Sequence, residues 1–90
     1  MNFRQSPDIE ESRVGERVVL YHRSDRKAVV LNPTGTLIWP QLSRPRSAAQ
    51  LLEHLKEVFP EVPPDQLEAD LQVYLAELRD QRVIVECLNS

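Results

Sequence analysis

Glycine and cysteine are scarce in this chain of 90 residues, which holds two glycines and one cysteine. With only Gly15 and Gly35 available, no glycine-rich loop exists to cradle a phosphate, and the usual nucleotide sites are excluded. The lone Cys87 permits no intramolecular disulfide, and no short Cys/His cluster has zinc-ligand spacing, so a reducing compartment fits. In an apolar tail this cysteine reads as a packing residue rather than a nucleophile. His22 and His54 stand apart in sequence, outside any ligand spacing, and read as ordinary surface or partly buried histidines. Long apolar runs are missing as well: nothing approaches the roughly 20 residues that span a bilayer, and residues 1–10 lack an apolar signal core. A cytoplasmic protein is expected. Basic charge is also short, with 11 Lys and Arg against 14 Asp and Glu and a formal net charge of −3. That balance offers phosphate backbones and anionic lipid no broad attraction, so neither nucleic acid nor membrane is an expected partner. No catalytic residue, metal or cofactor is expected.

What remains is an ordinary globular composition, 41% hydrophobic and 28% charged, enough for one compact domain over residues 1–90 with a modest core. Residues 1–7 are expected to be a loose lead-in, followed by one weak strand around Ile9 to Val14. Gly15 and Glu16 make a turn, and Arg17 to His22, rich in β-branched and aromatic residues, makes a strand. A polar turn from Ser24 to Lys27 leads into a second clear strand, Ala28 to Leu31, and the two form a hairpin.

Asn32 then supplies an N-cap and Pro33 a first helical residue for a short helix carrying Leu37, Ile38 and Trp39, which Pro40 ends or kinks. Ser47 and Gln50 have capping-box spacing at the head of a second helix whose Leu51, Leu55, Val58 and Phe59 share a face, and Pro60 stops it. Asp65 and Glu68 repeat that spacing for a third helix, running to Arg82, whose apolar Leu67, Leu71, Tyr74, Leu75 and Leu78 recur near 3.6 residues. Val83 to Cys87 suits a short strand or packed extension. Strands followed by three helices give a winged helix-turn-helix-like α+β domain.

The third helix is a poor DNA reader, since Asp65 to Asp80 holds five acidic residues and Arg79 as its sole cation. Asp70 and Glu77 share one side of it with Tyr74 between them, an arrangement suited to bordering a groove that receives basic residues. Ala28 to Leu31 is the complementary element, because an unpaired strand edge accepts an extended peptide as an added strand. The Val29 amide is expected to be a donor to that peptide.

The run VLNPTGTLIW from Val30 to Trp39, followed by the Ser47 helix and the helix from Asp65 to Arg82, resembles the PqqD-like family of leader-peptide recognition domains over residues 17–85. Its most specific part is Leu31, Asn32, Pro33, Thr34 and Gly35. The resemblance implies an N-terminal three-stranded antiparallel sheet packed on three helices, with a precursor's leader bound as a further strand between the third strand and the third helix. Peptide contacts are then implied for Lys27, Ala28, Val29, Val30 and Leu31 on one side and for Asp70, Val73, Tyr74, Glu77 and Leu78 on the other. Asn32, Pro33 and Gly35 cap and start a helix and are not counted as binding residues. The Asn-Pro-Thr-Gly form looks most like the free-standing recognition proteins of lasso-peptide pathways, whose partners are a precursor leader and a leader protease or other modifying enzyme. A pyrroloquinoline quinone-type chaperone for a radical enzyme is the close alternative, and an acidic winged-helix DNA-binding or adaptor protein the more distant one. Pro40 departs from the family's usual uninterrupted first helix.

Overall fold

The β-branched and aromatic run from Arg17 to His22 folds as a strand whose burial alternates, with Val18, Leu20 and His22 on the buried face. The computed structural model describes residues 1–87. Along the chain run β1 (Asn2–Gln5), β2 (Ile9–Val14), β3 (Arg17–His22) and β4 (Lys27–Val30). There follow α1 (Pro33–Ile38), a 3-10 stretch (Trp39–Ser43), the short β5 (Arg46–Ser47), α2 (Ala48–Val58), α3 (Pro64–Asp80) and β6 (Ile84–Cys87). The fold is α+β, with the antiparallel sheet β2-β3-β4 at the N-terminal side and three helices after it.

Two turns shape that sheet. Gly15 has φ of 64° at the first position of the two-residue β2–β3 turn, the place a type II′ hairpin reserves for glycine. The β3–β4 turn has no glycine, and Arg26 takes the left-handed conformation instead, with φ of 54° and its N–H donating to His22 O at 2.7 Å. Asp8 holds this turn from outside: its carbonyl accepts from Arg23 N–H at 3.1 Å, and its Oδ2 accepts from Ser24 N–H at 3.1 Å and lies 3.2 Å from His22 Nδ1. Hydrogen bonding from Ser24 keeps the Asp8 carboxyl below its ordinary pKa.

The first seven residues are not a loose lead-in. Asn2–Gln5 is the centre of a second three-stranded sheet, β5-β1-β6, and pairs antiparallel with both neighbours. Phe3 packs against the core, and Gln5 Nε2 donates to Trp39 O at 2.8 Å.

Local signals set the helix ends. Asn32 Oδ1 accepts from Gly35 N–H at 2.7 Å, Pro33 opens α1, and Pro40 diverts the chain into the 3-10 stretch. The Ser47–Gln50 capping box forms in both directions, at 3.2 and 2.8 Å. The expected Asp65–Glu68 box does not form. Pro64, with φ already fixed near the helical value, starts α3 one residue earlier, and the Pro63 carbonyl accepts from Gln66 and Leu67 N–H. Asp65 instead lies in the first turn, where its charge suits the helix dipole.

At its other end α3 stops at Asp80 rather than Arg82. Arg82, with φ of 60°, occupies the left-handed position usually given to glycine. Its N–H reaches Arg79 O at 3.0 Å while Val83 N–H reaches Leu78 O at 3.1 Å, the paired bonds of a Schellman motif. Val83 and Leu78 meet in the core, which also holds Val18, Leu20, Ile38, Trp39, Leu42, Leu51 and Leu71.

Candidate functional site

The open edge of the N-terminal sheet follows from its register. β4 is the last strand of its sheet, and β3 pairs with it as Val19↔Val30, Leu20↔Val29, Tyr21↔Ala28 and His22↔Lys27. Just beyond, Leu31 N–H donates to Val18 O at 3.0 Å, which marks that pair as hydrogen-bonded. Because antiparallel pairs alternate, Leu20–Val29 and His22–Lys27 also exchange bonds, whereas the backbone groups of Ala28 and Val30 point away from β3. Two residues' worth of N–H and C=O therefore face outward along the edge. Val29, expected from sequence to be the outward donor, faces β3.

Side chains divide by the same parity. Val29 and Leu31 lie on the core face beside Leu20 and Val18, while Ala28 and Val30 lie on the opposite face with Tyr21 and Val19. Val30 is 56% exposed, unusual for a valine in a sheet.

Two hollows border the edge and its helical neighbour. One, of about 670 Å³, has Lys27, Ala28, Val29 and Val30 along one wall and, opposite, Asp80 at the end of α3 with Gln81 and Arg82 of the turn that follows. His22 and Asp25 close it, and Arg82 Nη1 approaches Asp25 Oδ2 to 4.0 Å across it. The other, of about 340 Å³, lies between the start of α1 and the middle of α3, lined by Asn32, Thr34, Asp70, Val73, Tyr74 and Glu77. Lys27 to Val30 and the α3 set thus line neighbouring hollows, not one. Leu31 is buried on the strand side, and Leu78 is a core residue at 3% exposure that lines neither hollow.

Tyr74 forms the inner wall of the smaller hollow. It is 8% exposed, and its hydroxyl has no hydrogen-bond partner among the described residues. Burial, reinforced by the negative charge of Glu77, pushes its pKa up to about 12. Its ring end lies against α1 so tightly that a Cβ on Gly35 would sit 1.7 Å from Tyr74 Oη. Gly35 is therefore needed for close approach, beyond its place in the helix start. Asp70 and Glu77 are exposed at the rim, with Val73 between them at 60% exposure.

Sequence reading passed over the Asp80–Arg82 wall, because its position beside β4 depends on where the Schellman motif turns the chain. It also took His22 as ordinary. The residue is buried, at 8% exposure, and its ring sits between Asp8 and Asp25, with Nδ1 3.2 Å from Asp8 Oδ2. His54 stays outside both hollows.

Comparisons with known proteins meet this geometry. Residues 16–84 match the family described as Coenzyme PQQ synthesis protein D (PqqD). No curated protein matches the sequence. A solved structure of TbiB1 in complex with the TbiA(beta) leader peptide superposes with a TM-score of 0.83 at 19% identity, covering 96% of this chain and 99% of that one. A lasso peptide synthetase B1 complexed with the leader peptide gives 0.79 at 24% identity, covering 93% and 98%. Both likenesses establish a shared fold.

Proposed function

The chain belongs to the PqqD family, and from that membership we propose that it captures the leader segment of a ribosomally made precursor peptide by strand addition to β4. The observation that carries this reading is the outward-facing backbone of Ala28 and Val30 on the terminal strand of the sheet, beside the hollow walled by α3. Backbone bonds supply affinity in such a mode, and side-chain hollows supply selectivity. Lys27, Ala28, Val29, Val30 and Leu31 form the strand side of the site. Asp70, Val73, Tyr74 and Glu77 form the helix side, where the two carboxylates suit basic peptide residues, and Leu78 supports Tyr74 from within.

In this reading the chain is one domain that binds without catalysis, needs no cofactor, and presents the held leader to a leader protease or other modifying enzyme in the cytoplasm. Lasso-peptide biosynthesis is the setting favoured by the two solved relatives, whose bound partners are leader peptides. A pyrroloquinoline quinone-type role is the second reading, favoured by the description of the matching family. Among the described residues no helix is long and apolar enough to cross a membrane.

The test is a titration of the purified protein with synthetic leaders of the precursor peptides encoded beside its gene. Micromolar or tighter binding is expected. Absence of binding to every such leader overturns the reading, and binding only to a quinone-cofactor precursor selects the second one.

A further inference from the structure

The sheet that presents β4 has a second terminal strand, β2, on its far side. The parity that turns Ala28 and Val30 outward also fixes β2. Val18, Leu20 and His22 bond to β4 and its continuation, so Arg17, Val19 and Tyr21 exchange their bonds with Val14, Ser12 and Glu10. The bond from Arg23 N–H to Asp8 O continues the same alternation. The backbone groups of Ile9, Glu11 and Arg13 therefore face away from β3. Every residue from Glu10 to Val14 is exposed, which leaves this edge open. Among the described residues the other sheet has no comparable edge, since β5 has two residues and Ile84 of β6 is buried.

An open edge accepts another strand unless its side chains forbid it, and charged residues are the usual guard. On β2 one partner satisfies the charges. Glu11 and Arg13 flank Ser12 and share a face of the sheet. When a second copy pairs antiparallel about Ser12, Glu11 of each copy stands directly opposite Arg13 of the other, in pairs that exchange both backbone bonds. Ser12 then meets its own counterpart. Centring the pair on Glu11 or on Arg13 instead sets like charges opposite each other, which destabilises. The Arg13 side chain has no partner among the described residues. Glu11 gives Oε1 to the Trp39 indole N–H at 2.7 Å, which leaves Oε2 for the pair.

We propose that β2 is a self-association edge, through which two copies of this chain join antiparallel about Ser12. Three strands from each copy then form one continuous sheet. Its two-fold axis is perpendicular to the sheet, so the helices of both copies stay on the same side and both β4 edges stay open. At a strand spacing of about 4.8 Å, those edges lie about 24 Å apart. A pattern that is complementary in one register alone makes the contact selective, and so short an edge makes it weak and reversible. This pairing is independent of the capture reading.

Sedimentation equilibrium of the purified full chain from about 10 µM to about 1 mM should show a reversible monomer–dimer equilibrium. Arg13→Glu sets acids opposite each other and should weaken the dimer about tenfold or more, whereas Arg13→Lys should keep most of it. Thermal unfolding checks the fold of every variant. The register is read by cross-linking in a Cys87→Ser background. Partners in a non-hydrogen-bonded pair approach closely enough for a disulfide, so Ser12→Cys should give a covalent dimer in glutathione redox buffer while Glu10→Cys stays monomeric. A chain that remains monomeric to about 1 mM, a dimer indifferent to Arg13→Glu, or equal cross-linking by the two cysteine variants overturns the pairing.

Discussion

Gly35 and Tyr74 are set so close that each limits what the other can be. An alanine at 35 gains up to about 1 kcal/mol of helix propensity, yet its Cβ would stand 1.7 Å from Tyr74 Oη and 2.6 Å from Cζ. Overpacking of this kind costs about 1–3 kcal/mol, so the clash wins. Gly35→Ala is expected to destabilise by about 1–2 kcal/mol net in urea unfolding. In a Tyr74→Leu background the same change should cost less, and equal costs in the two backgrounds would show that the tyrosine is not the obstacle. The Tyr74 hydroxyl makes a second prediction. With its pKa raised to about 12 from 10.0, the folded chain keeps this proton longer than the unfolded chain does. Its contribution is complete below pH 10.0 and is lost as pH rises from there toward about 12, a loss of about 2–3 kcal/mol. Tyr74→Phe should flatten that part of the stability–pH curve. It should also raise neutral-pH stability by about 1 kcal/mol, because an unsatisfied buried hydroxyl is removed. An alkaline fall unchanged in the variant would assign the loss to other groups. None of this was legible from Tyr74 and Gly35 alone, since their meeting depends on where α3 crosses α1.

At the scale of the element, β4 separates a fold defect from a binding defect by a single residue. The Ala28 amide faces the open edge, and proline is tolerated on an edge strand whose N–H side meets solvent. Ala28→Pro should therefore leave the chain folded and weaken leader binding about fivefold, the worth of one net hydrogen bond of about 1 kcal/mol. Val29→Pro removes a donor to Leu20 inside the sheet and should lower the unfolding midpoint. If Val29→Pro folded normally and lost only binding, the register-based assignment would be inverted. Sequence made the strand visible but not its outward amides, because a run of valines looks the same in either register. Helix ends were more legible, as their signals are local: Ser47 and Gln50 form the box their spacing predicts. Asp65 and Glu68 share that spacing and fail only because Pro63 and Pro64 begin the helix first.

Across the whole molecule, the least legible feature is the sheet that joins the two ends of the described chain. Nothing in the polar run of residues 1–7 shows that Asn2 will lie opposite Cys87 or Gln5 opposite Ile84. Such pairing is set by the three helices between them. The consequence is mechanical: β1 covers β6, which leaves α3 through the Schellman turn at Arg82 and thereby fixes the far wall of the hollow beside β4. Deleting residues 1–6 removes the β1–β6 ladder, the Gln5 bond to the Trp39 carbonyl and the Ser6 bond to the Val83 carbonyl. It also uncovers core residues Val83 and Ile84, and it removes the apolar cover of Phe3. Loss of one largely buried aromatic and a few net hydrogen bonds amounts to about 3 kcal/mol or more, a large share of the stability of so small a domain. The truncated chain should show a clearly lower Tm and faster proteolysis after Arg79 and Arg82, and should bind leader more weakly where it remains folded. Phe3→Ala should give a smaller shift in the same direction. A truncated chain as stable as the original would mean that the N-terminal strand decorates the fold, and that the wall at Asp80–Arg82 is held by α3 alone.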